Sequence, residues 1–379
     1  METMTSRQRV IEAINHRIPD RVPFDLGMYT ASGISAFAYQ NLREYLGLST
    51  DHIEIFECVQ ILPRVQEDIL QKLHCDCILL NPQREDLVPW TPREPYHFLV
   101  PPEFQPQLND AGEWVVQKGK QRMRMPKGGY FFDGDWITFW DVWEDSVFKR
   151  YMDEAERIYR ETDYFTSFKG FSPFYSQDID YFCNMITDPD ELIEKNEATF
   201  KVQIERVGRL IRESKGYIGA VCMSGDLGNQ NGPMCRPEAF EEVVMPYLKP
   251  FCEFIHRNSD MKTYLHTCGA IEPLIPCLIE AGIDIINPVQ VSANGMDPVV
   301  LNEKYGDKIV FWGGGVDTQH VLGFQSEEKV REDVRKNVLG FKPGGGYIFH
   351  PVHNIMGDVP PEQILAAYDE AYRNSFYTE

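Results

Sequence analysis

His266-Thr267-Cys268 sets an imidazole and a thiol two residues apart. On extended or turning backbone, side chains at i and i+2 leave from the same side, so this pair can grip one cation from one strand end. Imidazole with thiolate suits zinc, and three protein ligands plus an open position define a catalytic zinc site. The third ligand has to come from elsewhere in the chain, and His353 in His350-Pro351-Val352-His353-Asn354 is the best-placed candidate. An isolated H-x-C is common by chance; its weight here comes from its place at the end of an apolar run, with a second histidine two such runs later. Cys75-x-Cys77 is a rival thiol pair, but LHCDCILL reads as a helix end feeding a buried strand, where cysteine serves as a small hydrophobe. Cys58, Cys183, Cys222, Cys235, Cys252 and Cys277 read the same way.

The elements that would carry these residues alternate. Short apolar runs at 217–223, 262–266, 283–287, 308–312 and 346–349 are bounded by Gly, Pro and Asp, and amphipathic helices are expected at about 36–47, 62–74, 188–213, 236–258, 270–281, 326–340 and 361–374. A further helix begins at Thr5 or Ser6, either of which can cap it, and ends before Pro19. Buried strands alternating with helices are the pattern of parallel βα units. The expected fold is a (β/α)8 TIM barrel with an N-terminal helical extension, the alternative being a doubly wound open sheet. Residues 82–148, rich in Pro and Trp, break the rhythm. They hold one hairpin-like pair around EWVVQ and RMRM and read as an insertion into a single 1–379 domain, with too few apolar positions for a core of their own.

Chemistry in parallel α/β proteins collects at the carboxyl ends of the strands, and each of the five runs ends in polar side chains. Ser224-Gly225-Asp226 follows the first; Asp226 is a fourth ligand, a general base or a helix cap. Asn287-Pro288-Val289-Gln290 follows the third. Gly313-Gly314-Gly315-Val316-Asp317-Thr318-Gln319 follows the fourth, with Asp317 placed to orient a ligand or to tie the loop; its glycines lack the lysine of a phosphate-binding loop. His350 faces either the mouth or the adjacent core, since strand parity leaves both open. FKGFSPFYSQ, with Gly and Pro, reads as a loop whose aromatic residues, Phe171 and Tyr175 among them, are either core or a substrate wall.

Composition narrows the partners. The 379 residues carry 37 basic and 58 acidic side chains, a formal charge of −21, which argues against nucleic acid or an anionic membrane. No run approaches 18 apolar residues and the opening METMTSRQRVIEAINHR lacks a signal-type apolar core, so a cytoplasmic protein with reduced thiols is expected. A homodimer remains open as the assembly.

HTCGAIEPLIPCLIEAGIDIINPVQ, GMDPVVLNEKYGDKIVFWGGGVDTQ, PGGGYIFHPVHNIMGDVPPEQI and the opening RQRVIEAINHRIPDRVPFDL resemble the uroporphyrinogen decarboxylase superfamily, most of all its branch of cobamide-dependent methyltransferases. The resemblance covers most of the chain, residues 82–148 least, and implies a (β/α)8 barrel. True decarboxylases of that superfamily carry an arginine-rich stretch near the N-terminus for a polycarboxylate tetrapyrrole. Here Arg21-Val22-Pro23-Phe24 runs on into Asp25-Leu26-Gly27-Met28 without it. The methyltransferase branch carries His-x-Cys followed far downstream by Cys; His266 and Cys268 match the first two positions, and His353 stands where the last cysteine is missing. Exchanging a thiolate for neutral imidazole leaves zinc a stronger Lewis acid, suited to an oxygen substrate. The resemblance thus implies O-demethylation of a small methylated substrate, a phenyl methyl ether foremost, onto the Co(I) cobalamin of a separate corrinoid protein, with Asp226, Gln290 or Asp317 orienting ligands or substrate. The rival readings are a methylcorrinoid-to-thiol methyltransferase, a metal-free decarboxylase-like lyase and a non-catalytic binding protein.

Overall fold

The computed structural model describes residues 2–172 and 179–377. Six parallel strands, Ser167–Phe171, Ala220–Ser224, Lys262–His266, Ile285–Asn287, Val310–Trp312 and Tyr347–Ile348, lie side by side in chain order. Two shorter segments close them into a ring. Phe24 bridges Phe349 in parallel and Cys77 bridges Phe165 in parallel, while Asp76 N donates to Phe24 O at 2.7 Å. The result is an eight-membered parallel barrel, in which segments 22–25 and 75–78 are the first two staves.

Phe165, Cys222, Tyr264, Ile285, Trp312 and Ile348 form one inward-facing cluster, so the barrel is filled by side chains and is not a pore. The helix Ser6–Ile14 adds Val10, Ala13 and Ile14 to that cluster and stoppers the end where Gly345 and Gly346 lie against Arg17 and His16. Thr5 caps it in a reciprocal box with Gln8. Among the described residues no helix is long and apolar enough to cross a membrane.

One acid sits inside the ring. Asp25 is fully buried and accepts from Met28 N and Trp312 Nε1, each at 3.0 Å; burial pushes its carboxyl up to about 6 despite those bonds. A folded value above the unfolded one of about 3.9 means the native state holds the extra proton, so stability falls as pH rises from about 4 to 6, by about 3 kcal/mol over two pH units. Asp25→Asn cannot titrate. In urea unfolding its deficit relative to wild type should be greatest at pH 4 and shrink by about 2–3 kcal/mol by pH 7; a gap that does not change with pH contradicts the assignment.

The structure departs from the sequence reading in several places. The helix expected from 62 begins at Glu67, because Leu62-Pro63 pairs antiparallel with Ile55–Glu57. The helix expected over 236–258 is divided at Val244 into Pro237–Val243 and Met245–Asn258, the second with Pro246 in its first turn. Helices Asp145–Glu161, Ile179–Thr187 and Pro298–Tyr305 were not anticipated. FKGF is a barrel strand instead of a loop.

Within 82–148, the hairpin of Trp114–Lys118 with Gln121–Met125 belongs to a four-stranded antiparallel sheet, and Val88–Arg93 pairs with Tyr96–Val100 in a second. Trp90, Phe104 and Phe132 meet edge to face, with centroids 5.2 and 5.5 Å apart. These rings join the barrel's outer core through Phe37 against Phe98 at 5.2 Å. Apolar burial here is therefore richer than the composition suggested.

Candidate metal centre and adjoining cavity

The Lys262–His266 strand pairs in register with Ala220–Ser224 on one side and Ile285–Asn287 on the other, which aligns Ser224, His266 and Asn287 across three strand ends. His266 Nδ1 lies 2.9 Å from Asn287 Oδ1. Asn287 Nδ2 donates to Trp312 O at 3.1 Å, which fixes the amide so that Oδ1 can only accept. His266 therefore carries its proton on Nδ1 and presents the Nε2 lone pair, 3.7 Å from Cys268 Sγ. His353 comes round from beyond the last strand, its ring 5.7 Å from that of His266. Donor atoms of His266, Cys268 and His353 all lie within 4.8 Å of one another.

The loop that carries Cys268 is held from both sides. Asp226 Oδ1 accepts from Cys268 N at 2.9 Å and stands 3.7 Å from His266 Nε2. Gln290 Oε1 accepts from Gly269 N at 2.8 Å, and Gln290 Nε2 and Gln230 Nε2 both donate to Gln319 Oε1. Gly269 has φ +94° and its Cβ position is occupied by the backbone of Gly228, so no other residue fits there. Burial holds His353 down to about 4, a neutral imidazole ready to bind metal. Burial, with Asp226 adding to it, pushes the Cys268 thiol up; a coordinated cation reverses that and leaves a thiolate.

The other residues expected to take part fall into place as follows. Asp226 and Gln290 touch the metal-ligand loop directly. Asp317 is one step removed: its carboxylate accepts from Gln319 N at 2.8 Å and lies 2.9 Å from His320 Nδ1, which ties the loop that presents Gln319. His350 does not face the mouth. It is fully buried, with Nε2 2.6 Å from Asn287 Nδ2, and Gly313 leaves the space its ring occupies. The glycine run after Trp312 thus admits the rings of His350 and Phe349 and makes no phosphate cradle. Phe171 packs on Trp143 and Phe251, with centroids 5.3 and 5.7 Å away, and also lines a cavity. Tyr175 lies outside the described residues.

Gln230 and Tyr29 are residues the sequence did not flag, and Asn287 and Gln319 stood out only as strand-end residues without a role. The signal for a role of Asn287 is its place as the lone amide ending the apolar run IDIIN. Residues that orient a ligating histidine typically contribute 10–100-fold to metal affinity. Asn287→Ala should therefore weaken zinc binding by about that factor in competition with a chromophoric chelator, with far-UV circular dichroism unchanged; wild-type affinity would remove Asn287 from the site. The Tyr29 ring stands 5.7 Å from His266 and forms, with Ser224, the inner wall of a cavity of about 740 Å³ that opens toward the inserted sheets.

Residues 191–373 match the family described as Uroporphyrinogen decarboxylase (URO-D). That stretch, just under half of the chain, is similar to a URO-D domain. All three metal-ligand candidates lie within it, along with five of the barrel strands, whereas Tyr29, segments 22–25 and 75–78 and the Ser167–Phe171 strand precede it. Relatives of the URO-D domain include uroporphyrinogen decarboxylases of Thioalkalivibrio sulfidiphilus, 24% identical over 149 residues, and of Pseudoalteromonas atlantica, 23% identical over 153. Each match takes in 38% of this chain and 39% of the relative, so it spans about two-fifths of those proteins. In three dimensions the likeness runs the whole length: a methyltransferase from Methanosarcina mazei superposes with a TM-score of 0.58 over 98% of this chain and 100% of its own, at 15% identity. That likeness establishes a shared barrel fold.

Proposed function

We propose that the chain is a zinc-dependent methyltransferase that demethylates a methoxy compound, a phenyl methyl ether foremost, and passes the methyl group to the Co(I) cobalamin of a separate corrinoid protein in the cytoplasm. The observation that carries this reading is the convergence of His266, Cys268 and His353 at the carboxyl mouth of the barrel. The set fits zinc: three donors of the right chemistry, one tautomer fixed by Asn287, and room for a fourth partner beside exposed Asp226. The full-length likeness to a methyltransferase supports the reaction class.

In the reaction, the CH₃–O bond breaks with its electron pair going to oxygen, the cobalt lone pair forms the new bond to carbon, and the freed oxygen takes up a proton to give a phenol. Zinc, when bound, supplies Lewis acidity that offsets the negative charge growing on that oxygen. Asn287 keeps the His266 ring oriented. Asp226 and Gln290 keep the Cys268 loop rigid, and Gln319 braces Gln290. Tyr29, buried beside His266, walls the site from water on the barrel side.

The names of the curated relatives favour a second reading, metal-free decarboxylation of a polycarboxylate. Arg21, in the segment where those enzymes carry arginines, is here buried against Asp76 and Glu2 and presents nothing to a ligand. Elemental analysis of protein purified without added metal, followed by incubation with a methoxyarene and a Co(I) corrinoid protein, separates the two. About one zinc per chain with formation of methylcobalamin and phenol upholds the first reading; no metal and carbon dioxide release from a carboxylic acid upholds the second.

A further inference from the structure

His350 stands three residues before a metal-ligand candidate and takes no part in the triad. It follows the last strand and is fully buried. Burial drives its imidazole down to about 3, so the ring is neutral and carries one proton. Asn287 Nδ2 can only donate, and it lies 2.6 Å from His350 Nε2, so Nε2 accepts and the proton sits on Nδ1. The Pro351 carbonyl acts on the ring and favours a proton there, although Nδ1 reaches no hydrogen-bond partner among the described residues. A buried N–H without an acceptor is costly, and an apolar residue of similar size would avoid that cost. The fold makes room for the imidazole all the same: a Cβ on Gly313 would stand 2.5 Å from His350 Nε2.

What the imidazole supplies is a second anchor for the Asn287 amide. Asn287 is itself fully buried. Its Nδ2 donates to Trp312 O at 3.1 Å and to His350 Nε2 at the shorter 2.6 Å, and its Oδ1 accepts from His266 Nδ1 at 2.9 Å. Both N–H groups and the oxygen are thus taken. Held by Trp312 O alone, the amide could turn over at the loss of one long bond and present Nδ2 to His266. That ring could then accept only with its proton moved to Nε2, the atom whose lone pair has to reach the metal. With His350 in place, turning the amide sets its oxygen against two acceptors at once. The three side chains His350, Asn287 and His266 therefore share one consistent set of protons, running from a buried ring to a metal-ligand candidate.

We infer that His350 is a positioning residue for the metal centre: by accepting from Asn287 it locks the amide that keeps the His266 proton on Nδ1 and leaves Nε2 open to metal. This rests on the zinc reading of the three donors and adds the residue that prepares one of them. The test reads the tautomer directly. In the metal-free full-length protein with isotopically labelled histidine, at about pH 8 where free imidazole is neutral, long-range proton–nitrogen correlation shows which His266 nitrogen is protonated, with His266→Gln to assign the signal. Wild type should show the proton on Nδ1. His350→Leu, which cannot accept, should show a mixture of the two tautomers and bind zinc about tenfold more weakly in competition with a chromophoric chelator. His350→Gln, whose Oε1 can accept, should recover most of both. Because the effect passes through the amide, His350→Leu should cost no further affinity in an Asn287→Ala background. A wild-type His266 protonated on Nε2, an unchanged tautomer in His350→Leu, or an equal second loss in the Asn287→Ala background overturns the inference. The tautomer is read without metal, so the two readings fail separately. A shifted tautomer in a protein that binds no zinc removes the zinc and keeps the lock; equal zinc affinity in wild type and His350→Leu removes the lock and keeps the zinc.

Discussion

Cys268→Ala is expected to leave the protein folded, to retain little zinc and to lose methyl transfer by about a thousandfold or more, the equivalent of about 4 kcal/mol of lost transition-state stabilisation. The thiolate is the one anionic donor among three whose atoms cluster within 4.8 Å. Without it two neutral imidazoles remain, too few for a structural or catalytic zinc site. His353→Ala should behave alike, because its donor comes from beyond the last strand and nothing else among the described residues completes the set. Cys75→Ala is the control. Cys75 is buried in the rival thiol pair, distant in the chain from these donors, and its loss should leave zinc stoichiometry untouched. The readouts are elemental analysis and decay of the Co(I) absorbance in single turnover. Full zinc content together with full activity in Cys268→Ala would mean that the metal, if any, is held elsewhere.

Asp76→Ala should cost about 3–5 kcal/mol of stability, the range for removing one partner of a buried charge network. Asp76 is fully buried at the start of the second stave. It accepts from Arg9 Nη1 at 2.6 Å, from Arg21 Nη1 and Nη2 at 2.7 and 3.1 Å, and from Phe24 N at 2.8 Å. Both guanidinium groups are also buried, and of the two it is that of Arg9 that Asp20 pairs with, at 2.6 Å. Removing Asp76 thus strands Arg21 with only the half-exposed Glu2 for a carboxylate partner and removes one of the two hydrogen bonds between the first two staves, leaving the backbone bond from residue 76 N to Phe24 O. Urea unfolding measures the loss. A change below about 1 kcal/mol would show that Glu2 and water take over. Replacing Arg9 and Arg21 by Met in the same background should return part of the stability, since well-packed apolar side chains often match a buried ion pair.

The contrast between what the sequence disclosed and what it concealed has a physical basis. The runs at 262–266 and 308–312 show as strands because Thr263–His266 and Ile309–Trp312 are buried on both faces. SFKGF does not, because Lys169 lines a cavity and Gly170, with φ +119°, marks a register shift, so the apolar pattern fails where the strand meets that cavity. Segments 22–25 and 75–78 are nearly invisible for another reason: each joins the barrel through a single bridge and a few hydrogen bonds. His266 and Cys268 could be singled out from their spacing taken together with their place at the end of an apolar run. The role of His350 could not, since parity along a two-residue strand does not fix its side, and only the void at Gly313 shows which way the ring turns. Gln319 was visible as a strand-end residue, but its partnership with Gln290 and Gln230 is a contact across loops that no local pattern encodes.

The position of His353 also sets a schedule. Two of the three donors are in the chain by residue 268, whereas the third follows the last stave, and that stave must bridge back to Phe24 before the ring is complete. A ribosome-bound chain short of this point offers zinc only a two-point grip, far weaker than a three-point one. On the zinc reading, metal capture therefore follows closure of the ring, and chains stalled before that point compete poorly for a scarce ion.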